Sequence, residues 1–247
     1  MAQSLLMAVL EWLWARLFPK LCFGCGREGQ YLCAGCRERL PTQKQQCCVV
    51  CGRQNRYGSL CSGCGDHNLT AVISAYRYQE PLIGQLIRAC KYRFAYNIGE
   101  ELGGLLAAFW LDYLKQSSLL AGVRPRWLAP AAKLLVIPLP LAAKRERWRG
   151  FNQAAILARA VAQASGLTCQ ENTLFKIKNT KPQAKLATAS RWSNVVGCFA
   201  WSGDNLAGRS ILLVDDVATT GATLAQAALT LKQAGAGQVV GLVLAHG

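Results

Sequence analysis

The chain has 247 residues, of which 52% are apolar and 17% charged, and a formal net charge of +15. The length bounds it to one large domain or two smaller ones with a real core, and the composition excludes a disordered chain. The charge points to polyanionic partners (nucleic acid, phosphorylated metabolites or an acidic membrane surface) and says nothing about fold.

Leu6, Leu10, Leu13 and Leu17 recur at helical spacing, with Glu11 and Arg16 elsewhere, and Pro19 closes the segment. An amphipathic helix is expected within residues 1–20. The segment lacks both a basic start and a small-residue cleavage site, so no secretion signal is expected. No stretch approaches the ~18 uninterrupted apolar residues of a membrane-spanning helix, so no integral membrane segment is expected.

Eight of the twelve cysteines form four CxxC pairs: Cys22/Cys25, Cys33/Cys36, Cys48/Cys51 and Cys61/Cys64. Zinc takes four thiolates in a tetrahedron, and CxxC sets two of them on one tight turn. Gly26, Gly52 and Gly65 follow three of the pairs and suit such a turn. Residues 21–68 therefore read as a cysteine-rich module holding two structural Zn2+ ions. Sequential pairing needs only short loops; interleaved pairing stays open. Eight paired ligands leave no open position for catalysis. Thiolates held on metal suit a reducing cytoplasm. Gly24, Gly26 and Gly29 spell GxGxxG, but no strand precedes them and cysteines fill the gaps, which excludes a dinucleotide site. Cys90, Cys169 and Cys198 stand alone as small apolar residues. His67 and His246 are isolated, and no histidine catalysis is suggested.

The texture changes at Ala71. AVISAYRY reads as a strand, and PLIGQLIRACKY and NIGEELGGLLAAFWLDYL as helices. After a Pro-, Gly- and Ser-containing connection, KLLVIPLP is a buried strand stopped by prolines. Asn152 can cap a helix over about 153–165 that Gly166 ends. NTLFKIK and RSILLV are strands, NTKPQAKLATASRWSN a polar loop, ATLAQAALTLKQA a helix ending at Gly235, and QVVGLVLA a last strand. Strand and helix alternate, so residues 69–247 are expected to form a mostly parallel α/β sheet with flanking helices.

The most informative stretch is ILLVDDVATTGATL, residues 211–224. A strand ending at Val214 would deliver Asp215 and Asp216 to the carboxyl edge of the sheet, where open α/β sheets bind ligands. Adjacent carboxylates on an extended chain point to opposite sides. Beyond them, Ala218, Thr219, Thr220, Gly221, Ala222 and Thr223 make a small, hydroxyl-rich turn opening a helix, a natural seat for a phosphate. An apolar strand ending in acids also fits a Walker B strand, but the chain contains no Gly-Lys dipeptide and hence no P-loop.

VDDVATTGAT resembles the signature of type I phosphoribosyltransferases, which bind phosphoribosyl pyrophosphate (PRPP). The resemblance assigns the ribose hydroxyls to Asp215 and Asp216, and the 5′-phosphate to the turn Ala218–Thr223. IPLP with KRERWRGFNQAAILA, TKPQAKL with RWSNV, and LIRACKYRFAYNIGEELGGLL resemble the ComF family of competence and DNA-utilisation proteins, including its GntX-like members. That family joins cysteine-rich zinc modules to a phosphoribosyltransferase-like domain. In its flexible loop the family often has an arginine pair where Lys176 and Lys178 stand here, which keeps charge and loses the bidentate fork. Thr180, Gln183, Arg191 and Asn194 match the family's loop pattern.

KRERWRGFNQ places Lys144, Arg145, Arg147 and Arg149 around Trp148 and Phe151. Arginine suits a pyrophosphate, and Arg145 and Arg149 join Asp215 and Asp216 as candidate catalytic residues. Cations interleaved with aromatics also suit single-stranded nucleic acid. The expected function is a phosphoribosyltransferase-like protein of DNA uptake that transfers or senses a phosphoribosyl group from Mg2+-bound PRPP. The alternative is a non-enzymatic accessory that binds single-stranded DNA, or a zinc-stabilised adaptor for a DNA-uptake helicase.

Overall fold

In the computed structural model the described residues are 19–64, 68–92, 96–119, 134–178 and 197–247. The helix expected at 4–18, His67 and the loop residues Thr180, Gln183, Arg191 and Asn194 lie outside them. The chain divides into two compact units, Met1–Pro41 and Thr42–Gly247. The first carries Cys22, Cys25, Cys33 and Cys36 and a short helix, α1 (Ala34–Glu38).

The second unit opens with an antiparallel hairpin, β1 (Gln46–Cys47) and β2 (Gln54–Asn55). Then come β3 (Ala71–Arg77), α2 (Pro81–Tyr92), α3 (Tyr96–Leu119), β4 (Leu135–Pro138), α4 (Ala143–Arg149) and α5 (Gln153–Ser165). β5 (Thr168–Cys169), β6 (Leu174–Lys176), β7 (Phe199–Trp201), β8 (Ile211–Ala218), α6 (Ala222–Gln233) and β9 (Val239–His246) complete it. Five strands form one sheet in the order β3-β9-β8-β4-β5, and every pairing in it is parallel. β6 and β7 pair antiparallel beside it. The parallel α/β sheet with flanking helices, preceded by a cysteine-rich module, is the expected fold class.

Parallel strands are buried on both faces, which explains their unbroken apolar runs. Ile211 and Leu213 share a cluster with Leu135, Ile137, Val239 and Val243 and with Leu224, Ala228 and Leu231 of α6. By the pleat, Leu212 and Val214 face the other way. There α5 packs on β4 and β8, and α3 packs on α5. That helix pair is close enough that a Cβ on Gly103 would come 2.9 Å from Ala160 Cβ. The cap expected for α5 is present: Asn152 accepts from the Ala154 N–H at 3.1 Å, and Gly166 ends the helix in the left-handed region.

One strand differs from expectation. β8 does not stop at Val214 but runs to Ala218, because β9 extends to His246 and pairs Asp215 with Val243, Val217 with Ala245 and Ala218 with His246. The basic stretch after β4 is helical, closed by Gly150 in the left-handed region. No helix among the described residues is long and apolar enough to cross a membrane.

Candidate functional site

The eight paired cysteines gather sequentially. Cys22, Cys25, Cys33 and Cys36 form one set and Cys48, Cys51, Cys61 and Cys64 another, the four sulfurs of each within 4.8 Å of one another. Four sulfurs at ~2.3 Å from one zinc stand ~3.8 Å apart. Cys25 and Cys33 sulfurs are 3.6 Å apart, and those of Cys51 and Cys61 3.8 Å, so both sets fit zinc. The first knuckle of each set is built alike: Gly26 N donates to Cys22 O and Gly52 N to Cys48 O, each at 2.8 Å. Burial works to raise the Cys22 thiol, yet N–H groups of Cys33, Gly24 and Cys25 outweigh it and bring it down to about 6. Cys48 likewise falls to about 6, with Cys51, Cys61 and Val50 supplying the N–H groups. Both are poised to ligate as thiolates. Cys90 and Cys198 are buried and Cys169 partly so, and burial drives the Cys90 thiol up to about 12.

At the carboxyl edge of the sheet, β8 carries the acidic pair. Asp216 follows the Val214 face and meets Lys91, from the end of α2, with Nζ 2.7 Å from Oδ2. Burial acts to lower the Lys91 ammonium, but Asp216 and then Asp215 more than offset it, and the net shift is upward. Asp215 follows the Leu213 face, and its Oδ1 accepts from the Asp216 N–H at 2.8 Å. Burial, then the neighbouring Asp216 charge, raises its carboxyl to about 7, against the attraction of Lys91 and Lys176. The carboxylates thus part to opposite sides: Lys91 pairs with Asp216 and also attracts Asp215, on which Lys176 acts more weakly.

The turn follows at once. Gly221 caps α6 with φ 73°, a conformation that suits glycine, and a Cβ there would come 2.7 Å from Val49 Cγ1. No side chain caps the helix start, which leaves its N–H groups to another acceptor. Thr220 Oγ1 is buried and has no hydrogen-bond partner among the described residues. His246 Nε2 lies 3.0 Å from Thr219 O.

Helix α4 sorts the basic stretch by its period. Lys144, Arg147 and Trp148 are exposed, whereas Arg145 and Arg149, one turn apart, are half-buried. Arg149 donates to Gln153 Oε1 at 2.9 Å and lies over the Tyr92 ring, and its Nε is buried without a partner among the described residues. Burial, then Arg145, lowers the Lys176 ammonium, against weaker opposition from Cys198 and Asp215. A cleft of about 140 Å³ opens past Pro138, the β4 residue beside Val214, and Glu146, Asn152 and Lys176 are among its walls.

Asp215, Asp216, Arg149 and Lys176 are thus brought to one edge with the turn Ala218–Thr223. Sequence reasoning missed three residues there. Lys91 is a lone basic residue in a helical run, and only its fold-level position marks it. His246, expected to be isolated, bonds the turn because β9 ends beside β8. Cys47, which precedes the paired Cys48 and has no CxxC partner of its own, lies 3.9 Å from His246 Nδ1.

Comparison with known proteins adds the lineage. Residues 13–65 match the Double zinc ribbon domain family. The competence protein ComFC of Bacillus subtilis is 28% identical over 212 residues, covering 83% of this chain and 79% of the relative. Competence protein F of Haemophilus influenzae is 27% identical over 215 residues, 85% of this chain and 94% of the relative. The DNA utilization protein YhgH of Salmonella typhimurium is 27% identical over 225 residues, 84% and 93% respectively. The ComF resemblance holds across most of the chain. Among solved structures, a hypoxanthine phosphoribosyltransferase from Trypanosoma cruzi overlaps 60% of this chain and 63% of its own, at 15% identity and a TM-score of 0.34.

Proposed function

We propose that this ComF-like chain binds Mg2+-bound PRPP at the carboxyl edge of its parallel sheet and serves DNA uptake and utilisation in the cytoplasm. The observation that carries the reading is the parted acidic pair of β8 followed directly by an uncapped helix start with a buried Thr220 hydroxyl that has no partner among the described residues. Asp215 and Asp216 hold the ribose hydroxyls, and the Ala218–Thr223 backbone takes the 5′-phosphate. Arg145 and Arg149, the latter with a buried Nε that has no partner among the described residues, face the pyrophosphate. Mg2+ supplies charge neutralisation on the leaving pyrophosphate. Mg2+ would come with the ligand's phosphates, and Asp215 and Asp216 are the carboxylates at this edge that could face it. If the site transfers, an acceptor's lone pair forms the new bond to the anomeric carbon as the C–O bond breaks toward pyrophosphate, whose charge the arginines stabilise. If it only senses, the same contacts bind PRPP without turnover.

Titration calorimetry tests the reading. PRPP is expected to bind in the presence of Mg2+, and the double variant Asp215→Asn, Asp216→Asn to abolish binding. Absence of heat with the wild type overturns it. Release of pyrophosphate with candidate acceptors separates transfer from sensing.

One observation favours a second activity. Trp148, Tyr92 and Tyr96 are exposed at 54%, 61% and 41%, with the Trp148 and Tyr92 rings 6.3 Å apart beside exposed Lys144 and Arg147. Stacking faces among cations suit single-stranded DNA. Binding that weakens linearly in log salt supports it, and no binding at low salt excludes it.

A further inference from the structure

The hairpin that carries Cys48 and Cys51 of the second cysteine set belongs to the same compact unit as the sheet, and it supports the phosphate turn at two points, directly through Val49 and through His246 from Cys47. The first is Val49, inside the Cys48–Cys51 knuckle. Its neighbour Val50 is exposed, but Val49 is only 5% exposed and joins the core cluster that holds Ala218 and Ala222. It occupies the space that any side chain at position 221 would need. The second is Cys47, which precedes the ligand Cys48. Thr219 O can only accept, so His246 Nε2 carries a proton and donates at 3.0 Å. In the neutral ring Nδ1 then accepts, and the Cys47 thiol faces it at 3.9 Å.

The hairpin is itself tied to the sheet. Gln46, 2% exposed, accepts from the Ser74 N–H at 2.9 Å and donates to Ser74 O at 3.1 Å. Gln43 N donates to Ala75 O at 2.8 Å. A ribbon fixed to β3 in this way presents Val49 and Cys47 to the turn from a rigid base.

We propose that the second cysteine ribbon is a positioning element of the phosphate turn, with Val49 setting the seat of Gly221 and the Cys47–His246 pair holding the Thr219 carbonyl. Neither residue touches the ligand; they fix the direction of the N–H groups that do. Bound zinc makes the knuckle stiff, so metal at the second site and sugar phosphate at the turn support each other. The ligand part of this statement rests on the PRPP reading above, but the positioning part does not.

The test uses the full chain with Val49→Ala, His246→Ala, His246→Gln and Cys61→Ser. Amide exchange of a peptide spanning residues 217–223 is read first without ligand, against a peptide from β3. Val49→Ala and His246→Ala are expected to speed exchange at 217–223 by about tenfold while β3 stays within about twofold. His246→Gln, whose amide can donate to Thr219 O, restores protection, and Cys61→Ser speeds the same amides. Mg2+-PRPP affinity by calorimetry is expected to weaken about fivefold in Val49→Ala and His246→Ala. Unchanged exchange at 217–223 in both variants, or an equal rise throughout the sheet, overturns the proposal. If the wild type binds no PRPP but the exchange pattern appears, the positioning role stands and the ligand reading falls.

Discussion

Lys91 and Asp216 form the ion pair that closes one side of the acidic edge, with 2.7 Å between Nζ and Oδ2 and side chains only 22% and 14% exposed. The pair also neutralises one of two adjacent carboxylates, so each acid depends on the same lysine. Lys91→Met is expected to lower unfolding free energy by roughly 2 kcal/mol, less than the roughly 3–5 of a fully buried pair. Urea denaturation checks this, and adding Asp216→Asn to Lys91→Met is expected to recover part of the loss in a double-mutant cycle.

Asp215 sets a pH dependence of unusual sign. Its carboxyl stands at about 7 in the folded chain against 3.8 for the ordinary group. Between these values the folded state keeps a proton that the unfolded state has lost, so the stabilisation is full below the lower value and disappears as pH rises through the upper one. The urea midpoint of the wild type is expected to fall relative to Asp215→Asn between about pH 4 and about pH 7. A parallel pair of curves contradicts the assignment.

Two glycines predict opposite outcomes. Gly221→Ala places a Cβ in a left-handed conformation and against Val49, and is expected to cost about 1–3 kcal/mol. Gly104, exposed in the middle of α3 with nothing within 4 Å of a new Cβ, is expected to gain about 0.5–1 kcal/mol on substitution by alanine. Thermal unfolding of the two variants against wild type decides both.

What could be read from residues alone follows from range. The α5 cap and stop, Asn152 and Gly166, are local chemistry and were legible to the residue. So were the CxxC sets, because ligand spacing is itself the signal. The acidic pair and its glycine turn were legible because strand, turn and helix are contiguous. The true end of β8 was not, since its last residues are strand only by pairing with β9. β5 is two residues long and exists through its neighbour β4, so no period announces it. Lys91 and His246 reach the site from α2 and β9, at sequence distances no pattern spans.

Metal analysis checks the cysteine geometry. Wild type is expected to hold two zinc ions, one per set. Cys25→Ser and Cys61→Ser are each expected to leave one tightly held ion, and the double variant none. Retention of both ions by either single variant would show that the sulfurs do not act as two sets of four.

The Cys47–His246 contact joins residues 199 positions apart. On the ribosome, at about 5–20 residues per second, His246 follows Cys47 by roughly 10–40 s. The second ribbon can load its metal and sit on β3 long before that, but the turn it supports cannot close until β9 has been made and paired. A nascent or truncated chain that ends before β9 therefore has its second cysteine set complete but its phosphate turn unfinished.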